Sequence, residues 1–281
     1  VTLARVHRDV TASGVRVRVA ELGSGDPVIV VHGLFVDHHT WDPVAESLPA
    51  GFRVIAPDLP GFGTSEKPSP SRFPYGVHAF AETVADLYAG LALGRSALVG
   101  HGLGGAVALT LAARHPELVS RLVLIDTLCY ERAPTLEAKL ALLPFMGGLV
   151  WKQLLGKTAF RSLFRERLLG PRAAVSSERL DYFYEAFNEP AARGSTLATL
   201  RATVDLRSLE AQIARVQVPT LVVWGRHDCL VPPAYGQRLA REIRGAGFEL
   251  VDAGHSPHEE LPREIADVLA RFLRDERRSY F

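Results

Sequence analysis

The chain has 281 residues, of which 47% are apolar, and carries 32 basic against 31 acidic groups for a net charge of +1. That content is enough for one large core, or a core with a second part over it, and with the two signs mixed along the chain there is no basic stripe to suggest nucleic acid as a partner. No apolar run is long enough to span a membrane, and Cys129 and Cys229 fit neither a metal spacing nor a disulfide framework, which suits a reducing compartment.

In chain order, Arg5–Val10 and Val15–Leu22 alternate apolar and polar residues and predict an antiparallel pair turned at Ser13-Gly14. Val28–Val31 is short and wholly apolar, the pattern of a strand buried on both faces, as are Val54–Ala56, Ala97–Val99, Leu122–Ile125 and Leu221–Trp224; Phe248–Val251 is similar. Helical patterns fall between them at Trp41–Leu48, Val77–Leu93, Leu103–His115, Pro233–Ile243 and Glu259–Phe272. Such alternation predicts a mainly parallel sheet with helices on both faces and the antiparallel pair at its edge.

From about 130 to 206 the alternation breaks into helices with no convincing strand, rich in large apolar groups such as Leu143, Phe145, Met146, Trp151, Phe160, Phe164, Tyr182, Phe183 and Phe187. A helical insertion between two strands reads as a lid. The expected division is residues 1–129 and 207–281 as the two parts of one core, with 130–206 as the cap. Most of these side chains are expected to pack the cap itself. Phe35, Phe145, Met146, Trp151 and Phe187 are the candidates to line a substrate cleft beneath it.

In open parallel sheets ligands bind beyond the carboxyl ends of the strands. The loops there read His32-Gly33-Leu34-Phe35, Asp58-Leu59-Pro60-Gly61-Phe62-Gly63, Gly100-His101-Gly102-Leu103-Gly104-Gly105, Gly225-Arg226-His227-Asp228 and Gly254-His255-Ser256-Pro257-His258. In this order and spacing they resemble the α/β-hydrolase superfamily, of the lid-bearing kind with a His-Gly oxyanion loop, over nearly the whole chain. The resemblance implies an α/β fold, a mostly parallel sheet flanked by helices with a helical cap.

The family places its nucleophile in a G-x-S-x-G strand-to-helix turn. Here the middle position is Gly102. By the same matching Asp228 is the acid and His255 the base, and the backbone N–H groups of Leu34 and Leu103 form the oxyanion hole. Glycine takes the positive φ of such a turn without the 1–3 kcal/mol that, to order of magnitude, another residue spends there. Covalent acyl-enzyme chemistry is then absent.

Two enzyme readings stay open. In one, His255 acts as a general base without a covalent step, by activating water or by driving elimination, cyclisation or C–C cleavage. In the other, a serine of an ester or lactone hydrolase has been replaced by Gly102. A third reading is a ligand-binding protein in which Asp228 and His255 are relics. Gly100-x-Gly102-x-x-Gly105 also spells a dinucleotide fingerprint, with Asp126 near the ribose-binding offset, but it does not open the first βαβ unit, since earlier strands precede it, and it leaves His255 unused. Asp126 is expected to end a strand or to serve as an alternative acid.

Among the other candidates, His38 and His39 are expected to be solvated or loop residues, and His101 to point away from the cavity into the packing under the turn. His32 is expected to hold its loop, while Ser65 and Ser256 are not expected to replace the missing nucleophile. His255 and His258 lack a clear third metal ligand. No metal and no cofactor are expected. The expected partner is a small, largely apolar carbonyl compound, with no nucleic acid and no membrane span; the oligomeric state stays open. Val1–Arg5 lacks the apolar stretch of a signal peptide, which makes the cytoplasm the expected location.

Overall fold

The computed structural model describes residues 5–131, 143 and 155–274. The strands are β1 (Val6–Ala12), β2 (Val15–Gly23), β3 (Gly25–Val31), β4 (Gly51–Pro57), β5 (Ser96–His101), β6 (Val119–Ile125), β7 (Thr220–Gly225) and β8 (Gly247–Val251). They form one sheet in the order β1-β2-β4-β3-β5-β6-β7-β8. β1 and β2 pair antiparallel about a turn at Ser13 and Gly14, both at positive φ, which matches the strand twist of a tight hairpin. β2 meets β4 antiparallel and every other pairing is parallel.

The helices are α1 (Asp42–Ser47), α2 (Val77–Gly90), α3 (Leu103–Arg114), α4 (Lys157–Leu163), α5 (Ser177–Asn188), α6 (Pro190–Ala202), α7 (Arg207–Ile213), α8 (Pro233–Glu242), α9 (Pro257–Glu260) and α10 (Pro262–Arg274). A 3₁₀ turn at His38–Trp41 takes the start of the first expected helix. The last expected helix is two, because Pro262 forces Leu261 out of the helical region, to φ −130° and ψ 53°.

Period-two burial explains the layering. Ile29, Leu98, Leu122, Leu124, Val222 and Trp224 face one side with α2, α3, α7 and α8. Their neighbours Val28, Val30, Val99, Val123 and Val223 face the other side with α1 and α10. Both faces are covered, so the strands carry unbroken apolar runs. Between β6 and β7, α4, α5 and α6 form a separate aromatic cluster of Phe160, Phe164, Leu180, Phe183 and Phe187 with Val36 from the loop after β3. Phe145, Met146 and Trp151 lie outside the described residues.

Two devices position the loops at the carboxyl edge. Gly104, in the first turn of α3, lies against β3: a Cβ there would sit 2.2 Å from the Val31 carbonyl oxygen and 2.5 Å from that of His32. The second is a buried aspartate–histidine pair. Asp58, after β4, accepts the backbone N–H (2.8 Å) and Nδ1–H (2.7 Å) of His38 and the N–H of Thr64 (2.8 Å). His38 is therefore buried rather than solvated, a correction that follows from the carboxylate beneath it. Burial alone would raise the Asp58 carboxyl, but its hydrogen bond and charge pairing with His38 hold it down at about 2. Burial would lower His38, and Asp58 reverses this to leave it raised.

Gly104→Ala is expected to lower the unfolding free energy by about 1–3 kcal/mol, read by urea titration, because backbone rather than a movable side chain must give way. Asp58, depressed in the folded state, contributes stability that is present above its ordinary value near 3.8 and lost as pH falls through about 2. His38, raised, contributes stability that is present below 6.5 and lost as pH climbs through its folded value. Urea midpoints should therefore fall on both sides of that window, and Asp58→Asn should flatten both slopes.

Candidate active site

β5 ends directly in the turn that starts α3. Gly102 sits there with φ +54° and ψ −113°. Its N–H donates to the Ile125 carbonyl (3.0 Å), and its own carbonyl accepts from Ala106 and Leu128. A Cβ on Gly102 would lie 3.4 Å from His255 Nε2 and 3.9 Å from Gly33 Cα, which is close contact without overlap with the backbone.

His255 follows β8 and Asp228 follows β7, its neighbour in the sheet. His255 Nδ1–H donates to Asp228 Oδ2 at 2.7 Å, and both residues are buried. That bond fixes the tautomer when the ring is neutral and leaves Nε2 toward Gly102. The other Asp228 oxygen accepts the N–H groups of Leu230 and Val231, each at 2.8 Å. Burial would raise the Asp228 carboxyl, but the His255 ring, the Asp126 carboxyl and the Val231 N–H together keep it below its ordinary value. Glu260 Oε1 accepts the N–H of Gly254 and its Oε2 that of Gly170, tying the loop before His255 to the segment preceding α5.

The loops enclose a cavity of about 440 Å³, lined by Leu34, Phe35, Gly102, Leu103, Leu128, Phe183, Leu230 and His255 among others, with Thr40, Ser256 and Glu259 among its polar lining. The backbone N–H groups of Leu34 and Leu103 are bonded to no acceptor among the described residues. Leu103 opens α3, where the first N–H groups lack intrahelical partners. Phe35, at φ +71°, lies on the wall. Phe187 does not. Its ring packs edge-on against Phe35 at 5.6 Å, behind the lining, so it supports the wall rather than forming it.

The other histidines are built into the frame. His32 donates from Nδ1 to the Gly33 carbonyl and accepts the Leu59 N–H at Nε2, so its loop is held from both ends. His101 packs under the turn, and its Nε2–H donates to the His255 carbonyl at 2.6 Å. Contrary to the expectation that it points away from the cavity, it also reaches the wall, because its ring lies between those of His255 and His258. Burial, reinforced by His255, pushes His101 down to about 3, and His258 is also held well below its ordinary value. Both are neutral. Ser65 is consumed by the Asp58 carbonyl and the Arg18 N–H.

Asp126 is the residue that strand-by-strand reading left undecided. It follows β6 at φ +42°, is wholly buried, and accepts the Gly225 N–H at 2.9 Å. Ligating atoms of Asp126, Asp228 and His255 lie within 4.8 Å of one another. A ribose could not reach this carboxyl, and Gly105 is glycine because a Cβ would lie 2.2 Å from Thr127 Oγ1. The geometry gives the dinucleotide fingerprint no support, in keeping with the sequence reading that set it aside. Asp37, His38 and His39 form a second compact group with ligand-like spacing, but their atoms are already joined to one another, to Asp58 and to Tyr182. The sequence offered no signal for the Arg179 latch either. From α5, its guanidinium pairs with Glu259 and bonds to the His39 carbonyl.

Comparison with known proteins agrees with this architecture. The family model described as "alpha/beta hydrolase fold" matches residues 26–262. A 2-hydroxymuconate semialdehyde hydrolase from a Pseudomonas species is 30% identical over 279 residues, covering 95% of this chain and 94% of the relative. A meta-cleavage product hydrolase from Pseudomonas fluorescens superposes with a TM-score of 0.81 at 26% identity, over 94% of this chain and 96% of that one. A serine hydrolase involved in carbazole degradation gives 0.79 at 27% identity, over 96% and 99%. No helix among the described residues is long and apolar enough to cross a membrane. The chain belongs to the α/β-hydrolase fold family.

Proposed function

We propose that this protein is an enzyme acting on a largely apolar, carbonyl-containing small molecule by His255–Asp228 acid–base chemistry, with no covalent serine intermediate. The observation that carries the reading is the gap at Gly102: His255 Nε2 faces it from one side, 3.4 Å from where a Cβ would lie, and no other described side chain comes within 4 Å of that point. In this reading residues 130–206 serve as a cap over the apolar cleft, to whose wall Phe35 and Phe183 contribute among the described residues.

In this reading His255 Nε2 takes a proton from water held in the gap, and the hydroxide adds to the substrate carbonyl. The oxygen that gains charge is met by the N–H groups of Leu34 and Leu103. Asp228 stabilises the imidazolium through Nδ1. Collapse of the adduct breaks the bond to the leaving group, which receives the proton from His255. Where the leaving group is a stabilised carbanion, the same steps cleave a C–C bond, the chemistry class that the names of the meta-cleavage relatives point to.

One observation favours a second reading, an ester or lactone hydrolase whose serine is replaced by Gly102. The site has room for a side chain there, with the His255 ring at 3.4 Å and the nearest backbone atom of another segment, Gly33 Cα, at 3.9 Å. A ligand-binding role without turnover is the third possibility that experiment must separate.

A panel of aryl esters, lactones and vinylogous 1,5-diketones is the test. His255→Ala should lower kcat/KM on the turned-over substrate by about 10²–10⁴-fold, and unchanged activity would remove His255 from the mechanism. Gly102→Ser is expected to leave C–C cleavage without a large gain. If it instead confers strong esterase activity and labelling by a serine-directed phosphonate, the second reading replaces the first. Tight ligand binding with no turnover in either form would leave the ligand-binding role.

A further inference from the structure

The acid–base reading leaves one buried titratable group in the site without a task. One side-chain oxygen each of Asp126 and Asp228 and a ring nitrogen of His255 all lie within 4.8 Å of one another. Two ionised carboxylates at that separation, shielded from water, are strongly disfavoured, so one of them holds a proton. The donors decide which. Asp228 receives three, from Leu230, Val231 and His255 Nδ1. Asp126 receives one, from the Gly225 N–H to Oδ1, and no described group donates to its buried Oδ2. A bare carboxylate oxygen in that position would stay unsatisfied, whereas a carboxylic acid O–H has an acceptor beside it, since a carboxylate offers about four lone-pair sites and Asp228 has used three.

We infer that Asp126 is a positioning residue: a neutral carboxylic acid that donates its proton to Asp228 and holds that carboxylate in line with His255 Nδ1. Burial, reinforced by the neighbouring Asp228 charge, pushes the Asp126 carboxyl well above its ordinary range, consistent with this assignment. The strained backbone agrees as well. Asp126 keeps φ +42°, with its N–H bonded to the Val223 carbonyl and its Oδ1 to the Gly225 N–H, so both anchors lie on β7, the strand that leads into the loop of Asp228. A non-glycine residue holds such a φ only where its surroundings over-determine it.

The consequence is a relay of three groups from three adjacent strand ends. Asp126 follows β6, Asp228 follows β7 and His255 follows β8. Asp126 stabilises the Asp228 anion and removes rotational freedom from it, without adding a second negative charge beside the base. The other titratable groups facing this cluster are His101 on β5, His258 on α9 and Glu260 on α9. The first two are kept neutral by burial, and burial raises Glu260 in spite of its N–H donors. This inference rests on the proposed roles of His255 and Asp228, but its central measurement does not need turnover.

The test is carboxyl ¹³C NMR of aspartate-labelled protein, with Asp126→Asn and Asp126→Ala as variants. One resonance, missing from Asp126→Asn, should keep the shift of a protonated acid from about pH 5 to 8. Asp126→Asn preserves a neutral donor and should retain kcat within about twofold and leave the acid limb of the pH–rate profile in place. Asp126→Ala removes the donor and should lower kcat about tenfold with KM unchanged. Were Asp126 ionised, its resonance would show a carboxylate shift at neutral pH. Asp126→Asn would then move the acid limb down by about one unit, since a nearby anion favours imidazolium. Either result overturns the inference. Absence of turnover in the parent protein would count against the acid–base reading alone, and the NMR result would still decide the protonation of Asp126.

Discussion

The site depends on one buried hydrogen bond, from His255 Nδ1 to Asp228 Oδ2 at 2.7 Å. Its two partners come from loops that the sheet sets side by side, because β7 and β8 pair in parallel up to Gly225 and Val251. The pairing continues past the strands: Arg226 N–H donates to the Val251 carbonyl and His227 N–H to that of Ala253. Gly225 is glycine for the same reason, since a Cβ would fall 1.8 Å from the Gly254 carbonyl oxygen. Backbone pairing thus brings the two loops into place for this bond, which is the preorganisation that the proposed base would need.

Electrostatics around this bond are held quiet. His101 packs against both His255 and His258 with tilted rings, and His101 and His258 are neutral through burial, so neither competes as a cation for Asp228. Nearby lies the opposite case, the hydrogen-bonded His38–Asp58 pair that fastens the loops after β3 and β4, where the carboxylate raises the imidazole. Burial alone does not separate the two cases. The difference is the partner: His38 has the Asp58 carboxylate at hydrogen-bond distance, whereas His101 bonds the His255 carbonyl and His258 the Thr40 hydroxyl.

Above the sheet edge the cavity is largely apolar, and the charged residues at its Thr40 end are already paired. Arg179 reaches from α5 to Glu259 and the His39 carbonyl, and Tyr182 from the same helix reaches Asp37 and His39. These bonds join the helical insertion to the core at one end, while the aromatic cluster around Phe160 and Phe183 joins it at another through Val36 and Phe35. A substrate in this space meets apolar walls and few uncommitted polar groups, which suits the carbonyl compound proposed above.

Much of the fold was legible in the sequence because buried parallel strands need apolar residues on both faces, and Val28–Val31 or Leu122–Ile125 can satisfy that demand in few other ways. The loop order placed Gly102, Asp228 and His255 for the same local reason: each sits where a strand ends, and glycine at Gly102 fits φ +54° without strain. Element ends were less legible, as at Leu261, where a proline three residues into the pattern divides one helix into two. What the tertiary structure alone decided are the partnerships between distant segments. That His38 is buried follows from Asp58, that Phe187 stands behind Phe35 follows from the packing of α5, and that Asp126 adjoins Asp228 follows from the neighbouring positions of β6 and β7 in the sheet. Composition and periodicity carry the burial of a residue, but its hydrogen-bond partner depends on which strands the chain sets side by side, and that is a property of the whole sheet.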